Sequence, residues 1–315
     1  MVRGMAHPEQ KADFEPPVSI MPGRLAYPLT GGVAPTWEVL GLSSAVKVGM
    51  AWQKERAYAE RQQFAALRCH PDVSDWVPVL YGIIGVVGEQ VLVAAQAEVE
   101  KAICSDRLAA LASDRYAARA SLSRSLRFFA EGQANAVTVA AHGLANLVLR
   151  TLALDPNFKA TNVKGSGYKA EHLKPGVASK GAWLSLNLGT CTVLTKAAGG
   201  CSPEMRDLTK ALSDLQTDNA TRTLIDLRNT QYHRWRGESP GVTGVDVTAP
   251  SLRESMARDG FLELDLWVGP TPPYVEGQQM LDGLVKASRE GLDALVIRLD
   301  RLLKAWDAAY TAAMT

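Results

Sequence analysis

The sequence predicts an all-α protein: a bundle of about six helices with a small β excursion near residues 240–268. Three observations carry this prediction. Long stretches run without proline and repeat apolar residues at steps of three and four, the period of a helix with one face turned inward. Start and stop signals divide these stretches, as at Asp155-Pro156 and Ser202-Pro203-Glu204. Alternation of period two appears only in Phe261–Trp267, where Glu263 and Asp265 separate leucines.

The first 35 residues carry Pro8, Pro16, Pro17, Pro22, Pro28 and Pro35, too closely spaced for a helix, and predict an extended arm. Thr36 is a candidate N-cap for a helix over Trp37–Leu67, which His70-Pro71-Asp72 breaks. A second helix is expected from about Ser74 or Asp75 to Ala112. Its glycines Gly82, Gly85 and Gly88 stand three apart and have no strand before them, so they predict close helix packing rather than a phosphate loop. Residues 36–113 thus form an N-terminal helical pair, set against the helical domain of residues 114–315.

The third helix is expected from Ser113-Asp114 to Leu154. It carries Asn135, Thr138, His142, Asn146 and Arg150 at three- and four-residue steps, with Val137, Leu144, Leu147 and Val148 on the apolar side. A solvated face is usually rich in Lys and Glu, whereas a stripe of Asn, Thr and His borders a pocket or a hydrogen-bonded seam. Both readings stand, and the second makes Asn135, His142 and Asn146 candidate pocket-lining residues.

Pro156–Lys180 reads as a polar, Gly-rich loop. Trp183–Ala198 fits helix or strand, with helix agreeing better with its surroundings, and Gly199-Gly200 closes it. Ser202-Pro203-Glu204 opens the next helix and Asp218 another. Gly237–Pro250 is a loop, and Val242–Thr248 is a candidate strand partner for Phe261–Trp267. A last helix covers about Tyr274–Tyr310.

Composition sets limits on function. The chain of 315 residues has 34 Lys and Arg against 33 Asp and Glu, a net charge of +1, with 47% hydrophobic and 21% charged residues. It is an ordinary globular composition. A protein that coats nucleic acid by charge alone is excluded, and any such contact must come from a local basic patch. Cys69, Cys104, Cys191 and Cys201 have no CxxC spacing, which predicts idle thiols in a reducing compartment. No metal site and no cofactor is expected. MVRGMAHPEQ lacks an apolar leader core, and Val77–Gly88 is a twelve-residue apolar run that reads as a buried helix. A cytoplasmic protein without membrane association is expected.

The local basic patch is DLRNTQYHRWRGES, Asp226–Ser239. Arg228 is followed by polar Asn229 and, five positions on, by His233; Arg222, Arg234 and Arg236 surround them. A guanidinium offers a rigid fork of donors to a phosphate, and an imidazole moves a proton near neutral pH. On a continuous helix, residues five apart stand about 140° apart around the axis. Asn229, His233 and Arg236 then share a face that Arg228 does not. A loosened helix near His233, or an Arg228 side chain reaching round, would close that gap.

Arg228-Asn229 followed by His233 resembles the motif of the HEPN superfamily: Arg, a polar residue, then His after a short spacer. The resemblance covers roughly Asp114–Tyr310 and implies a helical bundle that pairs with a second copy, so that one chain's Arg serves beside its partner's His. It further implies a metal-independent endoribonuclease acting on single-stranded RNA, a toxin or phage-defence effector with an antitoxin or regulatory protein as a possible partner. Arg228 and His233 would be catalytic with Asn229 orienting His233 or the phosphate, while Arg222, Arg234, Arg236 and Tyr232 would hold RNA. The alternative is a HEPN-like module that binds RNA, nucleotide or protein without cutting. A plain helical scaffold, with the motif a coincidence, is the third reading.

Overall fold

The computed structural model describes residues 35–69, 77–111, 116–158, 184–233 and 272–314. At positions 57–69, 77–78, 116–118, 120, 229–233 and 272–280 only the backbone is described. The extended arm, the β excursion of residues 240–268, and Arg234 and Arg236 lie outside the described residues.

Seven α-helices, joined by one short 3₁₀ turn, make up the described residues: α1 Ser43–Cys69, α2 Val77–Ala110, α3 Tyr116–Leu152, α4 Leu188–Ala197, α5 Pro203–Gln216, α6 Asn219–His233 and α7 Pro272–Met314. The all-α class holds, with one helix more than the six or so expected, and no strand occurs among the described residues. The first helix begins later than Trp37. Thr36 does act as a cap, its Oγ1 accepting from Val39 N at 3.4 Å. It caps a single turn, because Gly41 takes φ +68°, a left-handed conformation that ends the turn.

Other boundaries follow the chemistry of their end residues. Asn187 Oδ1 accepts from Thr190 N at 2.8 Å and starts α4. Ser202 Oγ accepts from Met205 N with Pro203 in the first turn of α5. Asp218 Oδ1 takes the Ala220 and Thr221 amides, both at 3.1 Å, at the head of α6. Asp155 ends the α3 region and ties it onward, accepting from Asn157 N through one oxygen and from Ser202 N through the other, each at 2.8 Å.

The core is built on α2, α3 and α7. By length and composition α2 could cross a membrane; in this fold its Leu80, Ile83, Ile84, Val87, Val91, Ala94 and Ala95 fill the main apolar cluster. It runs antiparallel to α3: Gln133 Nε2 donates to Ala94 O and Glu98 Oε2, both at 3.0 Å, while Gly143 sits near Ile83 and Val87 at the other end. It is also antiparallel to α7, since Lys101 bonds Ser288 and Tyr81 bonds Tyr310. The glycine spacing on α2 serves packing at Gly88, where a Cβ would lie 2.9 Å from the Gly49 carbonyl oxygen of α1. Gly82 has open space around it and serves no such contact.

Against this core lie α5 and α6, and their contacts fix the direction of the helix that carries Arg228. Asp214 pairs with Arg301 at 2.5 Å and Asp218 with Arg298 at 3.5 Å, while Leu224, in the second turn of α6, packs on Gly291. As α6 advances from 218 to 224, its partners on α7 retreat from 298 to 291. It is therefore antiparallel to α7. Trp306 Nε1 bonds Thr151 Oγ1 at 3.0 Å, and Leu281 shares an apolar cluster with Phe129, so α3 and α7 run parallel. It follows that α3 and α6, which pack together, are antiparallel.

Candidate functional site

The polar stripe of α3 is not a solvated face. Thr138, Asn146 and Arg150 are buried, and Asn135 and His142 are half-buried. The two ends of the stripe have different tasks.

At its lower end Asn146 is consumed by structure. Its amide nitrogen donates to Leu184 O at 2.8 Å, and its Oδ1 accepts from Leu184 N at 2.9 Å. One side-chain amide thereby pairs both backbone polar groups of a single residue. Oδ1 also accepts from Arg150 Nη1 at 3.2 Å. Within Trp183–Ala198 the described residues divide accordingly: residues 184–186 have no regular secondary structure and bond to α3, and the helix starts only at Leu188.

His142 lies one turn above. Its Nδ1 accepts from Leu186 N at 3.0 Å. A neutral imidazole carries one hydrogen, so accepting at Nδ1 puts that hydrogen on Nε2 and makes Nε2 a donor. Burial pushes the His142 pKa down to about 4, helped by the positive charge of Arg228. At neutral pH this ring is uncharged.

At the upper end Arg228 meets the stripe. Its Nε donates to Asn135 Oδ1 at 3.1 Å, joining α6 to α3. Arg228 and Asn135 are both half-buried. Seven residues separate Asn135 from His142, and Thr221 from Arg228; seven residues are about 20° short of two helical turns, so each pair shares a face. The Arg228–Asn135 bond is what ties the two faces together, with Thr138 and His142 on the α3 face and Thr221 on the α6 face. The hydroxyls Thr138 Oγ1 and Thr221 Oγ1 are each buried without a hydrogen-bond partner among the described residues. Thr221 escaped the sequence reading, although its place two turns before Arg228 was a usable sign.

The remaining sequence candidates are distributed as follows. Arg222 is exposed, with Nη2 3.4 Å from Asn219 Oδ1. Asn229, Tyr232 and His233 belong to α6, whose backbone stays helical to His233, while their side chains lie outside the described residues. With no loosening of α6 before His233, position 233 stands about 140° round the axis from position 228. No group of three or more His, Cys, Asp or Glu suited to a metal occurs among the described residues. Cys104, Cys191 and Cys201 are buried free thiols with pKa values raised by desolvation.

Comparison with protein-family models, with curated proteins and with solved structures returns no match to this chain.

Proposed function

We propose that this protein is a HEPN-type endoribonuclease that cleaves single-stranded RNA without a metal. The observation that supports the reading is the Arg228–Asn135 hydrogen bond. An arginine on a merely solvated helix end would have no such tie. This one is drawn into a polar seam beside a neutral histidine, where water competes less and a guanidinium acts more strongly on a phosphate.

In the proposed reaction the ribose 2′-OH attacks the adjacent phosphorus. His233 takes the hydroxyl proton, Arg228 meets the charge growing on the phosphoryl oxygens, and the 5′-oxygen leaves as its bond to phosphorus breaks, taking a proton from water. Products end in a 2′,3′-cyclic phosphate and a 5′-hydroxyl. His142 is a poor proton acceptor at neutral pH, so the proton-transfer role stays with His233. The 140° between positions 228 and 233 then calls for a second copy of the chain, with Arg228 of one protomer serving beside His233 of its partner. The same angle favours a second reading, a module that holds RNA through the Arg228 seam and does not cut it.

Product analysis separates the two. The nuclease reading expects 2′,3′-cyclic phosphate ends from unmodified RNA, and no cleavage of a 2′-O-methylated RNA or of DNA. An intact RNA that is nonetheless bound establishes the module.

A further inference from the structure

We infer that the outer face of α3 is a track for single-stranded RNA, on which Phe128 stacks a base and Arg124, one turn earlier, takes a backbone phosphate. The inference rests on the RNA-directed reading above for its ligand. It adds two residues that stand on a different helix from the Arg-His motif.

Exposure on α3 follows a single line. Among its described side chains only Arg124, Phe128 and Val139 are exposed, and the half-buried Asn135 and His142 lie on the same line. With 3.6 residues per turn, these five fall within a sector of about 60°. Phe128 is 54% exposed, while Phe129 beside it fills the small cluster of Cys104, Leu122, Leu126 and Leu281. The two rings meet edge-on, with centroids 5.5 Å apart and planes at 77°, so Phe128 is held by its neighbour and still open to solvent. One turn on, a Cβ at Gly132 would have nothing within 4 Å, which leaves room beside the ring for a second planar group.

Charge on this half of α3 suits a phosphate strand. Arg119, Arg124 and Arg127 stand there against one acid, Glu131. Arg127 Nε bonds Glu131 Oε1 at 2.9 Å, and Arg119 Nη1 donates to the carbonyls of Leu108 and Leu111. Arg124 makes no hydrogen bond or ion pair among the described residues. An exposed guanidinium about 6 Å along the axis from an exposed ring combines a phosphate contact with a stacking platform, the two elements that hold unpaired strands. About 10.5 Å beyond Phe128 the same face reaches Asn135, which bonds Arg228, so the track leads towards the motif. A second copy of the chain fits this face less well. A stable protein interface buries about 800 Å² on each side and has few charges at its centre. Here Phe128 and Val139 are about 16 Å apart, with Glu131 and Asn135 between them.

The test is fluorescence anisotropy of the full chain with a labelled, 2′-O-methylated single-stranded RNA, which lacks the attacking hydroxyl, at several salt concentrations. Phe128→Leu is expected to weaken binding about tenfold through lost stacking, and Phe128→Tyr to keep it. Arg124→Gln is expected to lower the slope of log K against log salt by about 0.7, the value of one single-strand phosphate contact. Both positions are exposed, so all three variants should match wild type in circular dichroism. Phe128→Leu binding as tightly as wild type, or Arg124→Gln with an unchanged salt slope, overturns the track. So does a dimer that dissociates in Phe128→Leu with RNA affinity unchanged, which gives the face to a second copy. Failure of the nuclease reading looks different. Weakened binding in Phe128→Leu, with no cleavage of unmodified RNA by wild type, keeps the track and removes the enzyme. Cleavage by wild type with full binding in Phe128→Leu does the reverse, and no RNA binding by wild type removes both.

Discussion

Arg228 and Asn135 are 93 residues apart in the chain and 3.1 Å apart in space, the arginine Nε donating to the amide oxygen. This bond makes the orientation of a motif residue depend on a helix that the motif does not include. Asn135→Ala should therefore loosen Arg228 more than it harms the fold. Its cost in stability is expected to be about 1 kcal/mol or less, the usual net worth of one partly exposed hydrogen bond. RNA cleavage should fall about tenfold, in kcat rather than KM, and Asn135→Asp, which restores an acceptor, should recover most of it. Equal kinetics in the Ala and Asp variants would deny Asn135 a positioning role.

The His142 ring gives a pH prediction with a definite sign. Its pKa falls from 6.5 to about 4 on folding, so the unfolded chain binds the proton more readily between those values. Stability from this group is fully present above about pH 6.5 and is lost as pH falls towards 4, a change of at most about 3 kcal/mol. His142→Gln keeps an acceptor for Leu186 N and does not titrate. The stability of wild type relative to this variant, measured by denaturant unfolding, should decline across that window. A constant difference would mean that His142 is not held neutral.

Packing of α6 on α7 gives a third prediction. A Cβ at Gly291 would collide with the fully buried Leu224 side chain. Gly291→Val should cost about 1–3 kcal/mol by overpacking and displace the helix that carries Arg228. Leu224→Ala in the same chain should relieve part of the collision, so the two changes should be less than additive in thermal unfolding.

The fourth concerns a buried charge remote from the seam. Lys101 on α2 is 1% exposed and meets Glu98 Oε2 at 2.7 Å, Ser288 Oγ at 2.9 Å and Val285 O at 3.1 Å. Its three ammonium hydrogens thus have three acceptors, which offsets the desolvation that lowers its pKa. Lys101→Ala leaves those acceptors buried and should cost about 3–5 kcal/mol. Lys101→Met, which fills the space, should also destabilise, because Glu98 loses its nearest cation. Unfolding by urea measures both.

Much of the fold was legible because its signals are local. Ser202-Pro203-Glu204 and Asp155-Pro156 mark ends through capping and a missing N–H, and neither needs a tertiary partner. The α3 stripe was legible as unusual, holding Asn, Thr and His where a wet face would hold Lys and Glu, but that composition left a solvated face and a buried seam both open, and only its burial decides for the seam. Its division of labour was not legible. Asn146 and His142 differ only in which backbone groups of residues 184–186 reach them, and that depends on where the chain returns after α3. Thr36 misled for a related reason: its cap is genuine, and only the backbone conformation of Gly41 shows that it caps one turn. Lys101 gave no sign at all, since a single lysine on an apolar helix is indistinguishable in sequence from a solvated one.

The most direct measurement of the central claim is the rate of cleavage of mixed single-stranded RNA by wild type, Arg228→Ala and His233→Ala, with EDTA present throughout. Wild type should cleave, with a loss of about 10²–10⁴-fold without the His233 proton transfer and a loss of about 10²–10³-fold without the Arg228 charge. Both variants should remain folded by circular dichroism. An equimolar mixture of the two variants should regain part of the activity, because a mixed dimer rebuilds one intact Arg228–His233 pair. Equal cleavage by all three proteins, or none by wild type on any RNA tested, would contradict the claim.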